Sequence, residues 1–355
     1  MEALLGALWL GAAVDEALPV LDQASLSLCR QRVREVAAAQ GLPTPVCESM
    51  AIVATELGQN QLRHASAGVL LVRPCERDGE LGVELVAADE GPGILDPVAA
   101  LRGDQSTAGG LGIGLSGARR LADEMDIDVR VGEGTCVWAR KFARPARRRR
   151  EVGVYGVPLA GENRNGDVAG FRREAGGLLL IVADGLGHGI DAREAAGRAV
   201  LAVLADEEAL ASGPAPLLER AGVALSSERG MRGAVVAVAR LGEPALPRRD
   251  RLAFAAAGDV AGCVYDEGRL ERLLGGAFVL GRPGYRTVHM GRRPPEQELA
   301  LGPGGVVALF SDGLHARATP PPEPQWRDAH PLILAQQMHR THSRGSDDAL
   351  VLVAR

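Results

Sequence analysis

Two groups of acidic residues, one in each half of the chain, have the types and spacing for phosphate chemistry. In the first half, Glu56 and Asn60 stand four residues apart in a helical pattern and share one face, with His64 on the same face. A carboxylate and an amide stacked in this way can hold Mg²⁺ and order a water. Asp89 follows an apolar run and opens Asp89-Glu90-Gly91-Pro92-Gly93. A carboxylate at a strand end can accept a hydrogen bond from an exocyclic amine such as that of adenine. Gly91 and Gly93 let the backbone turn closely past a flat ring. Gly110, Gly112 and Gly114 then open a helix within the stretch 109–115, GGLGIGL. Bare backbone N–H groups at a helix start make an anion site. Taken singly, these are a solvated helix face, a turn and a loose loop. Taken in this order, they describe a nucleotide site.

In the second half, aspartates sit at four telling places. Asp167 lies in Asn165-Gly166-Asp167. Asp184 ends an apolar run and opens Asp184-Gly185-Leu186-Gly187-His188-Gly189. Asp312 lies in Ser311-Asp312-Gly313 after another apolar run, and Asp347-Asp348 precede the last one. Each alone is a common turn residue. Together at strand ends they repel one another unless cations intervene. Such hard oxygen donors suit Mg²⁺ or Mn²⁺, not zinc. Two such ions would bind phosphate and acidify a shared water for in-line attack on phosphorus, with no Ser or Cys nucleophile. Asp259 reads as a strand-end turn in preference to a fifth ligand. His188 reads as a loop-supporting imidazole in preference to a leaving-group acid.

The elements that must position these residues follow from periodicity. The spacing predicts helices over 26–39 and 47–65, strands over 69–73 and 81–87, a helix over 115–125 and a strand over 135–139. In the second half it predicts strands over 152–159, 177–183, 234–239, 252–257, 305–310 and 349–353, and a helix over 192–204. The apolar run 3–14 reads as a strand or docking segment. It is too short to span a bilayer and lacks a signal-peptide pattern.

The chain has 355 residues, 46% hydrophobic and 24% charged, which suits two globular domains of α/β or α+β class. A boundary falls at the basic run 144–150, RPARRRR, whose like charges favour an exposed tether over a nucleic-acid patch. The expected domains are 1–143 and 152–355, with an Arg-rich linker at 144–151. A net charge of −5 gives no general reason to bind nucleic acid or a membrane. Lys141 is the only lysine, which excludes a phosphate loop of the G-x-x-x-x-G-K-[ST] type and argues against Schiff-base chemistry. Five cysteines without a C-x-x-C pair argue against zinc and disulfides and fit a reducing compartment. A soluble, cytoplasmic protein is expected.

Residues 25–142 resemble the GHKL ATPases, with 56–60 as the N box, 89–93 and 110–114 as the two glycine boxes, and Gly134-Thr135 where that family places a threonine near adenine. The short stretch 96–107 and GGLGIGLSGARRLADE over 109–124 resemble the small switch-protein kinases of the RsbT type. This implies a Bergerat two-layer α/β sandwich that binds ATP. It also implies Asn60 as a Mg²⁺ ligand, Asp89 as the adenine contact, Thr135 nearby and Glu56 as general base. His64 is then structural or partner-facing.

Residues 151–355 resemble the metal-dependent Ser/Thr phosphatases of the SpoIIE and RsbX branch, most specifically in D-G-x-G-H-G. This implies a PPM-type α-β-β-α sandwich with two Mn²⁺ or Mg²⁺. Asp184 would bridge them, Gly185 would ligate through its carbonyl, and Asp167, Asp312 and Asp347, in preference to Asp348, would complete the shell. Asn165-Gly166-Asp167-Val168 departs from the Gly-Gly-Asp-aromatic pattern of many relatives. The segment 257–260, AGDV, departs from Asn-Ala-Gly-His and leans towards the RsbX type.

The resemblances imply a bifunctional switch regulator in a partner-switching stress or sigma-factor pathway. It would phosphorylate a Ser or Thr of a STAS-domain partner, an anti-sigma antagonist or stressosome-type protein, and dephosphorylate the same class of partner. A sigma factor or downstream phosphatase is a further candidate partner, and a homodimer is allowed. The alternative is a phosphatase regulated by a non-catalytic ATP-binding module that sequesters a partner.

Overall fold

The computed structural model describes residues 1–102, 114–144, 149–174, 177–206, 211–228, 230–246, 249–281, 294–323 and 328–355. The chain divides into two compact units, Met1–Gly153 and Val154–Arg355. Among the described residues no helix is long and apolar enough to cross a membrane.

The first unit opens with α1 (Ala3–Leu10), where a strand or docking segment was expected, followed by a 3-10 turn (Gly11–Glu16). The helix wins because its apolar residues at 5, 9 and 10 fall on one buried side. Trp9 is nearly fully buried, and its indole N–H donates to Asp128 Oδ2 at 3.0 Å. Next come β1 (Leu18–Pro19), α2 (Gln23–Ala39) and α3 (Thr44–His64). Asp22 caps α2 reciprocally with Ser25: its Oδ1 accepts from the Ser25 amide at 2.8 Å, and Ser25 Oγ accepts from the Asp22 amide at 3.0 Å. Gly58 lets α2 close onto α3, since a Cβ there would lie 2.2 Å from Leu26 Cδ2.

The strands β2 (Gly68–Arg77), β3 (Glu80–Asp89), β4 (Glu124–Arg130) and β5 (Gly134–Phe142) form an antiparallel sheet in the order β1-β2-β3-β5-β4. The helices α2 and α3 pack on it, joined by α4 (Pro97–Arg102) and α5 (Gly114–Leu121). The helix expected over 115–125 therefore stops at Leu121. From Glu124 the sequence alternates, and a strand pairing with β5 buries both faces.

One face of this sheet is apolar, with Met125, Ile127 and Val129 buried. The other carries a row of charges that sequence reading missed. Arg73, Glu84, Arg140 and Glu124 stand opposite one another across β2, β3, β5 and β4. Arg140 joins Glu84 and Asp126, each at 2.6 Å, and Arg73 and Arg77 pair with Glu84 and Glu124. Opposite charges placed across strands satisfy the buried polar groups of that face.

The second unit holds two sheets. One runs β6 (Val152–Val157), β15 (Ala349–Ala354), β14 (Val306–Phe310), β11 (Ala261–Asp266), β12 (Arg269–Leu273). The other runs β13 (Gln297–Leu301), β10 (Arg249–Ala257), β9 (Ala234–Leu246), β8 (Gly177–Gly185), β7 (Asp167–Glu174). The sheets meet face to face, β15 against β7 and β14 against β8. The helices α6 (Ile190–Leu204) and α7 (Pro214–Ser226) cover the second sheet, and α8 (Pro331–His342) packs on β15 of the first. This is the α-β-β-α order expected of a PPM-type sandwich. The strand expected over 152–159 ends at Val157, before Pro158.

Candidate functional site

The nucleotide-type site lies at the ends of β3 and α3. Asp89 stands directly opposite Thr135 in the β3–β5 register. Its carboxylate accepts from the Gly91 amide at 2.9 Å and from the Thr135 backbone. Burial pushes it up to about 6, against these two bonds, and no cation opposes the burial. The glycines around it are tight. A Cβ at Gly91 would lie 2.8 Å from Asp89 Oδ1, and one at Gly134 would lie 2.0 Å from the Asp89 carbonyl oxygen. Gly93 has φ +75° and sits against the Arg130 carbonyl. A desolvated acceptor behind a flat glycine shelf fits the exocyclic amine of a purine.

Glu56 is buried in α3, and its Oε2 accepts from the Gly114 amide at 2.9 Å. It therefore reaches the second glycine box at the start of α5. Asn60 is half-buried one turn along the same helix. His64 is exposed at the helix end. Gly110 and Gly112 lie outside the described residues, as do 145–148 of the Arg-rich linker; Gly114 has φ +51°.

The acidic site of the second unit is built where β7, β8, β14 and β15 meet. Asp167 and Asp184 are direct cross-strand partners, which places two carboxylates about 5 Å apart at Cβ. Asp167 is buried, and one of its oxygens accepts from Ser311 while Oδ2 has no hydrogen-bond partner. Burial raises it well above the usual range, and Asp348, Asp312 and Asp347 add to the effect. Asp184 is pushed up to about 10, first by burial and then by Asp167, Asp312 and Asp259. Its carboxyl lies within hydrogen-bond reach of Asp312, a contact that raises Asp184 and lowers Asp312. Asp312 is itself raised by burial and by Asp259 and Asp347, and drawn down by Arg344. Asp259, read as a plain turn, thus faces the cluster.

Asp347 and Asp348 do different things. Asp348 is buried, with Oδ1 accepting from Leu159 N at 2.8 Å and Oδ2 from Gly166 N at 2.9 Å. Asp347 is half-buried, and its one hydrogen bond is local, from the Asp348 amide at 2.9 Å. Asn165, fully buried, is a framing residue that sequence reading left without a role. Its Oδ1 accepts from Asp167 N at 2.8 Å, its Nδ2 donates to the Ala349 carbonyl at 3.1 Å, and its carbonyl accepts from Arg193 at 2.9 Å. The signal was its place in Asn165-Gly166-Asp167, directly before a ligand-type aspartate.

Gly185 has no room for a side chain, since a Cβ would lie 1.9 Å from the Ala192 carbonyl oxygen. This pins the end of β8 under α6. Gly187 and Gly189 take φ +91° and +75° in the loop between them. His188 Nδ1 lies 2.8 Å from Glu162 Oε1, so the imidazole supports this loop.

The donor set fits hard divalent cations. A buried carboxylate oxygen lacks a partner, and burial and the neighbouring carboxyls raise Asp184, an opposition that cations would relieve. Among the described residues no group of three or more Asp, Glu, His or Cys side chains is placed to hold a metal ion as it stands.

Residues 174–355, just over half of the chain, match the family Stage II sporulation protein E, SpoIIE. The chain belongs to the SpoIIE family. Residues 20–141, ahead of the SpoIIE domain, match the histidine kinase-like ATPase domain. Over 125 residues the chain is 33% identical to the serine/threonine-protein kinase RsbT of Bacillus subtilis (strain 168), covering 35% of this chain and 94% of that protein. The SpoIIE chain is also similar to RsbX in complex with magnesium, at 16% identity and a TM-score of 0.45, covering 59% of this chain and 96% of that one. A chain described with the bacterial stressosome and secondary messenger signalling gives 24% identity and a TM-score of 0.49, over 58% and 100%. One polypeptide thus joins an ATP-binding domain of kinase type to a phosphatase-type SpoIIE domain.

Proposed function

We propose that the protein is a bifunctional switch regulator. Its first unit transfers the γ-phosphate of ATP to a Ser or Thr of a STAS-domain partner. Its second removes phosphate from the same class of partner, in a partner-switching stress or sigma-factor pathway. The observation that carries this reading is the presence in one chain of two complementary carboxylate sites. Asp89 is desolvated and accepts from the Gly91 and Thr135 amides, whereas Asp167, Asp184 and Asp312 crowd together and raise one another, opposed at Asp312 only in part by Arg344.

In the first unit, Asp89 accepts the adenine amine, Thr135 lines the same end, and Gly91 and Gly93 admit the ring. Gly110, Gly112 and Gly114 offer amides to the phosphates, and Asn60 holds Mg²⁺. Glu56 orients or deprotonates the acceptor hydroxyl. In the second unit, Asp184, Asp167, Asp312, Asp347 and the Gly185 carbonyl would hold two Mn²⁺ or Mg²⁺. When bound, the cations neutralise the phosphate and supply an acidified water. Asp348 and Asn165 hold β7 and β15 in register so that the ligands converge. Domain limits of 1–143 and 152–355 with a tether between them fit this division, and tethering raises the local concentration of each activity at one partner.

The bond between Glu56 and the Gly114 amide favours a second reading, in which the first unit binds ATP and sequesters a partner without phosphorylating it. The deciding experiment silences the second unit by Asp312→Ala. Labelled ATP, Mg²⁺ and a STAS-domain protein are added. Label on that protein, removed by the unmodified chain with Mn²⁺, supports the bifunctional reading. ATP binding without any transfer supports the sequestering module.

A further inference from the structure

A phosphate ester brings about two negative charges into a site walled by carboxylates. Its outer oxygens need a cationic donor of the protein's own. Among the described residues, Arg164, Arg193, Arg232 and Arg344 border the loops that carry the acidic cluster, and Arg164 has a partner of its own. Arg193 is buried, and its Nη1 donates to the Asn165 carbonyl at 2.9 Å. Arg232 donates from Nη1 to the Leu186 carbonyl at 3.2 Å and pairs through Nη2 with Asp191 at 3.1 Å. Both are committed to holding loops.

Arg344 differs. Its side chain is exposed and has no hydrogen-bond or ion-pair partner among the described residues. Its backbone, by contrast, is fixed. The Arg344 amide donates to the Gly313 carbonyl at 2.8 Å, and His315 N donates to the His342 carbonyl at 3.0 Å. Leu314 and Ser343 form an antiparallel bridge between these two bonds. The root of the side chain is therefore anchored beside the residue that follows Asp312 and lies three positions before Asp347. Its charge reaches the Asp312 carboxyl. A long, unpaired guanidinium on a pinned backbone can sweep the mouth of the cluster. Its planar fork matches two phosphate oxygens.

We propose that Arg344 is the phosphate-recognising cation of the second unit. It contacts the non-bridging oxygens of the phosphoserine or phosphothreonine as the ester seats against Asp184 and Asp312. The inference rests on the phosphatase reading and adds the residue that binds the substrate phosphate.

The test uses the full chain with Mn²⁺, p-nitrophenyl phosphate as substrate and inorganic phosphate as the probe ligand. In Arg344→Ala, the inhibition constant for phosphate and the KM are expected to rise roughly tenfold or more, with kcat less affected. Calorimetric Mn²⁺ titration and the melting temperature should not move. Arg344→Lys should recover part of the loss, since it restores charge without the fork. An active Arg344→Ala with unaltered phosphate affinity would overturn the inference. So would a variant in which only the Mn²⁺ requirement shifts, since Arg344 would then merely screen the carboxylates. If the unmodified chain with Mn²⁺ neither hydrolyses the ester nor binds phosphate, the phosphatase reading itself falls, and the inference falls with it.

Discussion

The two sites use aspartate in opposite ways. In the first unit, Asp89 and Glu56 are each held by backbone amides, so the pocket is satisfied as it stands and waits for a neutral donor. In the second unit, Asp167, Asp184 and Asp312 are pressed together, each raised by burial and by its neighbours, with an unpartnered oxygen on Asp167. That arrangement is strained electrostatically until positive charge arrives. A preformed receptor and an unfinished one thus sit in one chain, and they should respond differently to mutation, pH and metal.

The largest separation should come from Asp184→Asn. Hydrolysis of a small aryl phosphate with Mn²⁺ is expected to fall by roughly a thousandfold or more. The metal-free protein should melt at a higher temperature near pH 7, because Asn needs no proton to sit buried beside Asp167 and Asp312. A variant that is both inactive and less stable without metal would break the contrast between the sites.

The matching change in the first unit is Glu56→Gln. Amide oxygen can replace carboxylate oxygen in accepting from the Gly114 amide, so ATP affinity should hold. Phosphotransfer should drop by roughly a hundredfold or more. Loss of ATP binding in equilibrium dialysis would instead make Glu56 an anchor for the second glycine box.

The pH responses sharpen the contrast further. Asp89 is raised to about 6, so its carboxylate is lost as pH falls through that value, and with it the acceptor for adenine. ATP affinity should weaken below pH 6, by at most about tenfold per unit. Asp89→Asn should bind more weakly at pH 8 and remove the part of the slope that does not come from ATP itself. The stability sign is reversed. A carboxyl raised in the folded state favours the ATP-free fold more at pH 4 than at pH 6, so that part of its stability fades as pH rises through 6.

The smallest effect separates two neighbours. Asp347→Asn should shift the Mn²⁺ midpoint and leave the melting temperature nearly unchanged. Asp348→Ala releases the Leu159 and Gly166 amides and should cost about 1–3 kcal/mol in urea unfolding. The opposite result would exchange their roles.

Much of this was legible before any coordinates. The helical spacing of Glu56 and Asn60, the glycine boxes and the four aspartate loops are local patterns, and local patterns survive in one dimension. The helix expected over 115–125 overran because Glu124 and Met125 also suit a helix, and only pairing with Arg140 and Ala139 in β5 makes them strand. The N-terminal run was ambiguous for the same reason, until Trp9 found Asp128. Asn165 was left without a role and Asp259 was read as a turn because nothing in their own neighbourhood says which distant carboxylates they face.

The sequence by itself determined the chemistry available: which carboxylates end strands, where glycine permits close approach, and that no lysine can serve a phosphate loop. Only the tertiary structure decided how those groups are shared out. It set Asp167 opposite Asp184, tied Asp348 to two amides while leaving Asp347 more open, and left Arg344, beside Asp312, without a side-chain partner among the described residues. The physical reason is that residue type and spacing fix what a side chain can donate or accept, whereas charge and burial act through space, between segments that the chain order keeps far apart.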